Sequence, residues 1–167
     1  MPTQFSWIVD QRILYVRSFA EDMSLEEFRA GNEEAARYIA GGQAPVHMLL
    51  HTNALRLPIS LGALQSALEA ARSPQLGWTL QFGSPYGPVS ELVSNALGHA
   101  FRLKYRNVKS LDEAFAILAR QDHTLPPRAE WQLPQCVVAF GGDWRACDTC
   151  RLTASAPQPE STPAVPG

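Results

Sequence analysis

The chain has 167 residues, 46% of them apolar and 18% charged, with a formal net charge of −2. That length suits one ordinary domain of roughly 100–150 residues and a tail, and two full domains would be a squeeze. The composition argues against a largely disordered chain, the missing basic excess against nucleic acid as a partner, and the lack of any apolar run near the roughly 20 residues of a bilayer span against a transmembrane protein.

The first residues, "MPTQFSWIVDQR", show neither the basic leader nor the apolar stretch of a signal peptide, so a cytoplasmic location is expected. "FSWIVD" (Phe5–Asp10) and "ILYVRSF" (Ile13–Phe19) alternate as strands, with Phe5, Trp7 and Val9 on one face and Ile13, Tyr15, Arg17 and Phe19 on another. Gln11-Arg12 between them reads as a two-residue hairpin without the glycine or asparagine such turns prefer. Ser24 and Glu27 have capping-box spacing, Leu25, Phe28, Ala35 and Ile39 recur at helical spacing, and Gly41-Gly42 is expected to supply a left-handed stop.

"VHMLLHT" (Val46–Thr52) is apolar on both faces, as a central strand requires. Leu61, Leu64, Leu68 and Ala71 form a helical stripe ended by Pro74, and Trp78–Phe82 alternates as a strand. Pro88 opens an amphipathic helix to Ala100 through Val89, Leu92, Val93, Ala96 and Leu97. Phe101–Val108 follows as a strand with Arg102, Lys104 and Arg106 outward, and a second capping box, Ser110 with Glu113, opens a helix that buries Leu111, Phe115 and Leu118.

The order ββαβαβαβα predicts an α/β domain over residues 1–124: a mixed, mostly parallel five-stranded sheet with a hairpin strand at one edge and four helices packed on it. Residues 125–167, ending "ASAPQPESTPAVPG", read as a Pro- and Ser-rich, largely disordered tail. Only "QCVVAF" within it has the composition to add a strand or to stick to the domain.

"ILYVRSFAEDMSLEEFRAGNEEAARYI", "GQAPVHMLLHT", "PQLGWTLQFG" and "FRLKYRNVKSLDEAFAIL", in this order, resemble the STAS superfamily, and within it the stand-alone bacterial proteins related to anti-sigma-factor antagonists. The resemblance spans Phe5 to Asp122 and rests on element order and hydrophobic register. It implies a non-enzymatic regulatory module that docks onto a protein partner, such as a kinase or an anti-sigma-like factor, sometimes switched by phosphorylation of a serine at the start of the helix after the central strand. Related folds carry lipids or small ligands.

Ser60 is the phosphorylation candidate by that resemblance. His51 stands where the family has an aspartate, and Ser60 in "ISLGAL" lies one residue out of step with the family's Ser-Gly pattern. A helix N-terminus receives a phosphate well, yet an ordinary serine N-cap accounts for the residue with nothing further needed.

His51 ends the central strand, where ligands of open α/β sheets bind, and with Thr52 and Asn53 it can line a small polar site. His47 shares its face, but four residues of strand put the two about 13 Å apart, too far for one metal. Leu55, Leu57 and Ile59, leading to Gly62, form an apolar loop that either docks a partner or folds back as a lid. The alternative function is a carrier of a lipid or small apolar ligand between residues 53–62 and the helix 88–100.

Cys147 and Cys150 make a CxxC with Cys136 ahead of it, and a fourth zinc ligand would have to be His123 or come from a second chain, so no metal is expected. Arg102, Lys104, Arg106 and Lys109 are the outer residues of an edge strand or a patch for acidic groups. No phosphate loop, nucleophile elbow or paired catalytic carboxylates stand out, so neither enzyme activity nor a cofactor is expected.

Overall fold

A β-hairpin opens the chain in the computed structural model, which describes residues 3–18, 23–52, 62, 65–67, 71–83, 103–134 and 138. β1 (Thr3–Val9) pairs antiparallel with β2 (Ile13–Ser18). Their connection has three residues rather than two, Asp10 to Arg12. Gln11 sits in the left-handed region at φ 56°, and the Arg12 N–H donates to the Val9 carbonyl over 3.0 Å. A bulge between Trp7 and Val9 breaks the expected alternation. Phe5 and Trp7 keep one face, while Val9 joins Ile8 in the core on the other.

The order of the sheet is β1-β2-β3-β4-β5, where β3 is Val46–Thr52, β4 is Leu76–Phe82 and β5 is Tyr105–Asn107. β2 to β5 run parallel, so the α/β class, the mixed sheet and the hairpin strand at its edge stand as expected. β4 starts two residues before Trp78, and the strand expected over Phe101–Val108 contracts to three residues.

α1 (Leu25–Ala40) covers one face of the sheet: Ile39 packs on Leu14, Val16 and Val46, with Tyr38, Phe5 and Trp7 at its margin. α2 (Leu111–Gln121) covers the other, setting Leu111, Phe115 and Leu118 against Ile13, Tyr15, Leu49 and Leu80. Each fully buried aliphatic or aromatic side chain in these two cores contributes about 1.5–3 kcal/mol. β2 is therefore buried along its whole length.

Ser24 and Glu27 close the capping box that begins α1. Gly41-Gly42 does not supply a left-handed stop: Gly41 is right-handed at φ −84°, and Gly83 is the one described glycine at positive φ. Ser110 caps α2, but Glu113 accepts from the Lys109 N–H, one residue beyond the position a capping box uses.

Of the four expected helices, α1 and α2 are in place. Helical backbone at residues 62, 65–67 and 71 marks the one after β3, and the Asn32 side chain binds the Ser66 hydroxyl beside α1. The expected helix Pro88–Ala100 lies outside the described residues. Among the described residues no helix is long and apolar enough to cross a membrane.

The boundary expected after residue 124 falls too early. Leu125, Trp131 and Leu133 pack into the α2-side core around a short 3₁₀ turn, Arg128–Glu130. The Trp131 indole N–H donates to the Pro126 carbonyl, its ring meets Phe115 edge-on at 5.4 Å, and the Gln132 N–H donates to the Ile8 carbonyl at 2.8 Å. Composition misses this because three large apolar residues anchor a segment that is otherwise polar. Beyond Pro134 only Val138 is described, exposed and helical rather than extended, its N–H on the Pro134 carbonyl.

Candidate functional site

Parallel strands side by side bring their carboxyl ends to one edge, and this edge gathers Arg17, Ser18, His51, Thr52 and Gln81, all buried. The register places Arg17, His51 and Phe82 in one row on the α2 face, and Ser18 and Thr52 on the α1 face. Thr79 and Gln81 share that α1 face with Met48 and Leu50 and stand opposite Tyr105 and Asn107 of β5.

On the α2 face His51 is fully enclosed. Its Nδ1 and the Tyr15 hydroxyl are hydrogen-bonded at 2.6 Å, and its ring stacks on Phe82 at 4.7 Å between centroids. Gly83 makes this packing possible: its φ is +95°, and a Cβ there would come within 2.5 Å of the imidazole. The histidine expected at an open polar site is thus locked between a phenol and a phenyl ring.

On the α1 face a chain of side-chain hydrogen bonds crosses three strands. The Gln81 amide binds the Thr52 hydroxyl at 2.9 Å, the Tyr105 hydroxyl bonds to Gln81, and Tyr105 and Asn107 are 3.0 Å apart. Asn107 Nδ2 is buried without a partner among the described residues. Whichever end of that amide faces Tyr105, the other is left over, and an unsatisfied buried group of this kind costs about 1–3 kcal/mol.

At the opposite edge of the sheet the structure joins residues that no sequence spacing connects. Two residues of β4, Gly77 and Trp78, stand opposite His47 alone at a bulge. The Trp78 N–H donates to His47 Nδ1 at 3.0 Å, so the ring proton sits on Nε2 and is donated to Asp122 at 2.9 Å. A Cβ on Gly77 would lie 2.6 Å from that Nδ1. Asp122, just past α2, also accepts from Arg12 at 2.7 Å and from the Thr124 hydroxyl and N–H.

Burial pushes the His47 pKa down against the pull of Asp122. Asp122 is held well below the usual carboxylate range: its burial works the other way but is outweighed by Thr124, His47 and Arg12.

Of the candidates read from the sequence, His51 and Thr52 lie at the carboxyl edge, on opposite faces. Asn53, Leu55, Leu57, Ile59 and Ser60 lie outside the described residues, as do Cys136, Cys147 and Cys150. Gly62 has helical backbone beside α1, where a Cβ would come 2.7 Å from the Arg29 guanidinium. Among the described residues no three His, Cys, Asp or Glu side chains are placed to hold a metal ion.

Sequence reading missed Tyr15, Gln81, Tyr105 and Asn107. The available signal was polar residues two apart, Thr79 with Gln81 and Tyr105 with Asn107, on strands otherwise read as core. Comparison of the chain with protein-family models, with curated proteins and with solved structures finds no match.

Proposed function

We propose that this chain is a non-enzymatic recognition module of STAS-like type that docks a protein partner at the carboxyl edge of its sheet and works in the cytoplasm. The observation that carries the reading is the chain Thr52–Gln81–Tyr105–Asn107, a built line of donors and acceptors that ends in a buried amide group with no partner among the described residues. A side chain that destabilises the free protein and lies at the edge where α/β sheets take their ligands is accounted for when a docked group satisfies it. The segment leaving Thr52 carries Leu55, Leu57 and Ile59, apolar residues of the kind that fill the centre of an interface.

The test is affinity capture from the producing cell with the full chain and three variants: Asn107→Leu, Leu57→Asp, and Glu34→Lys on the distant α1 surface. Asn107→Leu is expected to raise thermal stability, since it removes the unpaired group, and to lower recovery of a stoichiometric protein partner at least tenfold. Leu57→Asp is expected to abolish recovery, and Glu34→Lys to leave it unchanged. Equal recovery by all three, or lower stability of Asn107→Leu, overturns the reading.

A further inference from the structure

The two edges of the sheet are built differently. β5 offers three residues, and Lys104, Arg106 and Lys109 are exposed along it, the charges by which natural sheets discourage edge pairing. β1 offers seven, "TQFSWIV", with no charge and no proline, and among the described residues no strand pairs with its outer side. The bulge at Ile8 and the Gln132 N–H on the Ile8 carbonyl occupy the far end of this edge. What is left among the described residues is a stretch of five, Thr3 to Trp7, without bulge or partner on its outer side.

We infer that this stretch pairs antiparallel with the same stretch of a second copy, joining two sheets into one of ten strands. A two-fold axis through Phe5 sets Phe5 opposite Phe5 of the other copy, Gln4 opposite its Ser6 and Thr3 opposite its Trp7. Polar residues then meet polar ones on the α2 face. On the α1 face the central pair is aromatic, Phe5 on Phe5, with Thr3 and Trp7 opposite each other on either side, and Phe5 is already held by Tyr38, stacked on it at 5.3 Å. No like charges are opposed, whereas the same operation on β5 would stack cations on cations. The charge-free edge thus selects a copy of itself where the basic edge repels one.

Five residue pairs make a small interface, so the association is expected to be weak, with a dissociation constant roughly in the micromolar range typical of small transient contacts. β2 to β5 run in opposite directions in the two copies, and their carboxyl edges therefore face opposite ways. The inference is independent of what docks at those edges.

Sedimentation equilibrium of the full chain from about 1 to 200 µM is the test, because a dimer of this affinity shifts with concentration across that range. The wild type is expected to pass from monomer to dimer. Gln4→Lys with Ser6→Lys places lysines opposite each other at both pairs and is expected to stay monomeric at all concentrations. Gln4→Lys with Ser6→Glu places opposite charges there and is expected to restore the dimer, a recovery that misfolding cannot mimic. A monomeric wild type, or a dimer indifferent to the paired lysines, overturns the inference. In a companion measurement, amide exchange at Thr3–Trp7 is expected to slow as protein concentration rises, and unchanged exchange rates count against it equally.

Discussion

His47 commits both ring nitrogens to structure, Nδ1 to the Trp78 N–H and Nε2 to Asp122. A proton added to Nδ1 would point at another N–H, and the bond that closes the β4 bulge would be lost. The folded protein therefore holds the ring neutral, with its pKa below the ordinary imidazole value of about 6.5. Between the folded and the unfolded pKa the unfolded chain binds more protons, so this contribution is complete above about pH 6.5 and is lost as pH falls through the folded pKa. Asp122 is depressed too, and its contribution is lost only at pH values below the ordinary carboxylate range, about 4. Urea unfolding across pH should show two separate declines in the wild type. His47→Gln should erase the one that begins near neutrality and leave the acid one. Asp122→Asn should do the opposite and, at pH 7, lower stability by about 3 kcal/mol, because Arg12 and the ring lose their common acceptor. A wild-type profile flat between neutrality and the carboxylate range would refute the tautomer assigned here.

α2 starts at Ser110, whose hydroxyl accepts from the Glu113 N–H, and every residue it buries belongs to the core on its side of the sheet. Ser110→Ala should cost about 1 kcal/mol by thermal unfolding. Glu113→Gln should cost less, since its carboxylate accepts from Lys109 on the exposed side of the helix start. The elements that could be read from sequence share one property, a period that local sterics and burial impose within ten or so residues. Ser24 with Glu27, the Leu111–Phe115–Leu118 stripe and the two-faced Val46–Thr52 strand are of this kind, and all three sit where the pattern puts them. The bulges at Ile8 and at His47 are not, because one extra residue in a ladder depends on the partner strand and leaves no local period behind. The site was legible in the same measure. His51 and Thr52 could be placed at a strand end from their own run. Tyr15 and Asp122, which hold the two histidines, lie 36 and 75 residues away from them and are joined only by topology.

The whole molecule is a sheet with two unlike faces, and the α2 face is finished by a segment beyond the last helix. Phe115 is the centre of that arrangement: Trp131 meets its edge, and the Arg128 guanidinium lies 3.9 Å from its ring centroid. A cation over an aromatic face adds roughly 0.5–1 kcal/mol, small beside the apolar area that Trp131 covers. Gln132 then ties the segment to β1, so residues from both termini of the described chain share one hydrogen bond. Removing a buried tryptophan costs about 3–5 kcal/mol, a large share of the 5–15 kcal/mol by which domains of this size are stable. Trp131→Ala should therefore lower the urea midpoint well below that of the wild type. A chain ended after Thr124 should fall further, because Leu125 and Leu133 leave with the tryptophan and the faces of Phe115 and Ile8 meet water. A chain ended after Pro134 keeps every one of these contacts and should unfold close to the wild type. Equal stability of the two truncations would mean that the segment only rests on a core already complete at Thr124. A graded loss, from Pro134 through Trp131→Ala to Thr124, is what the packing requires.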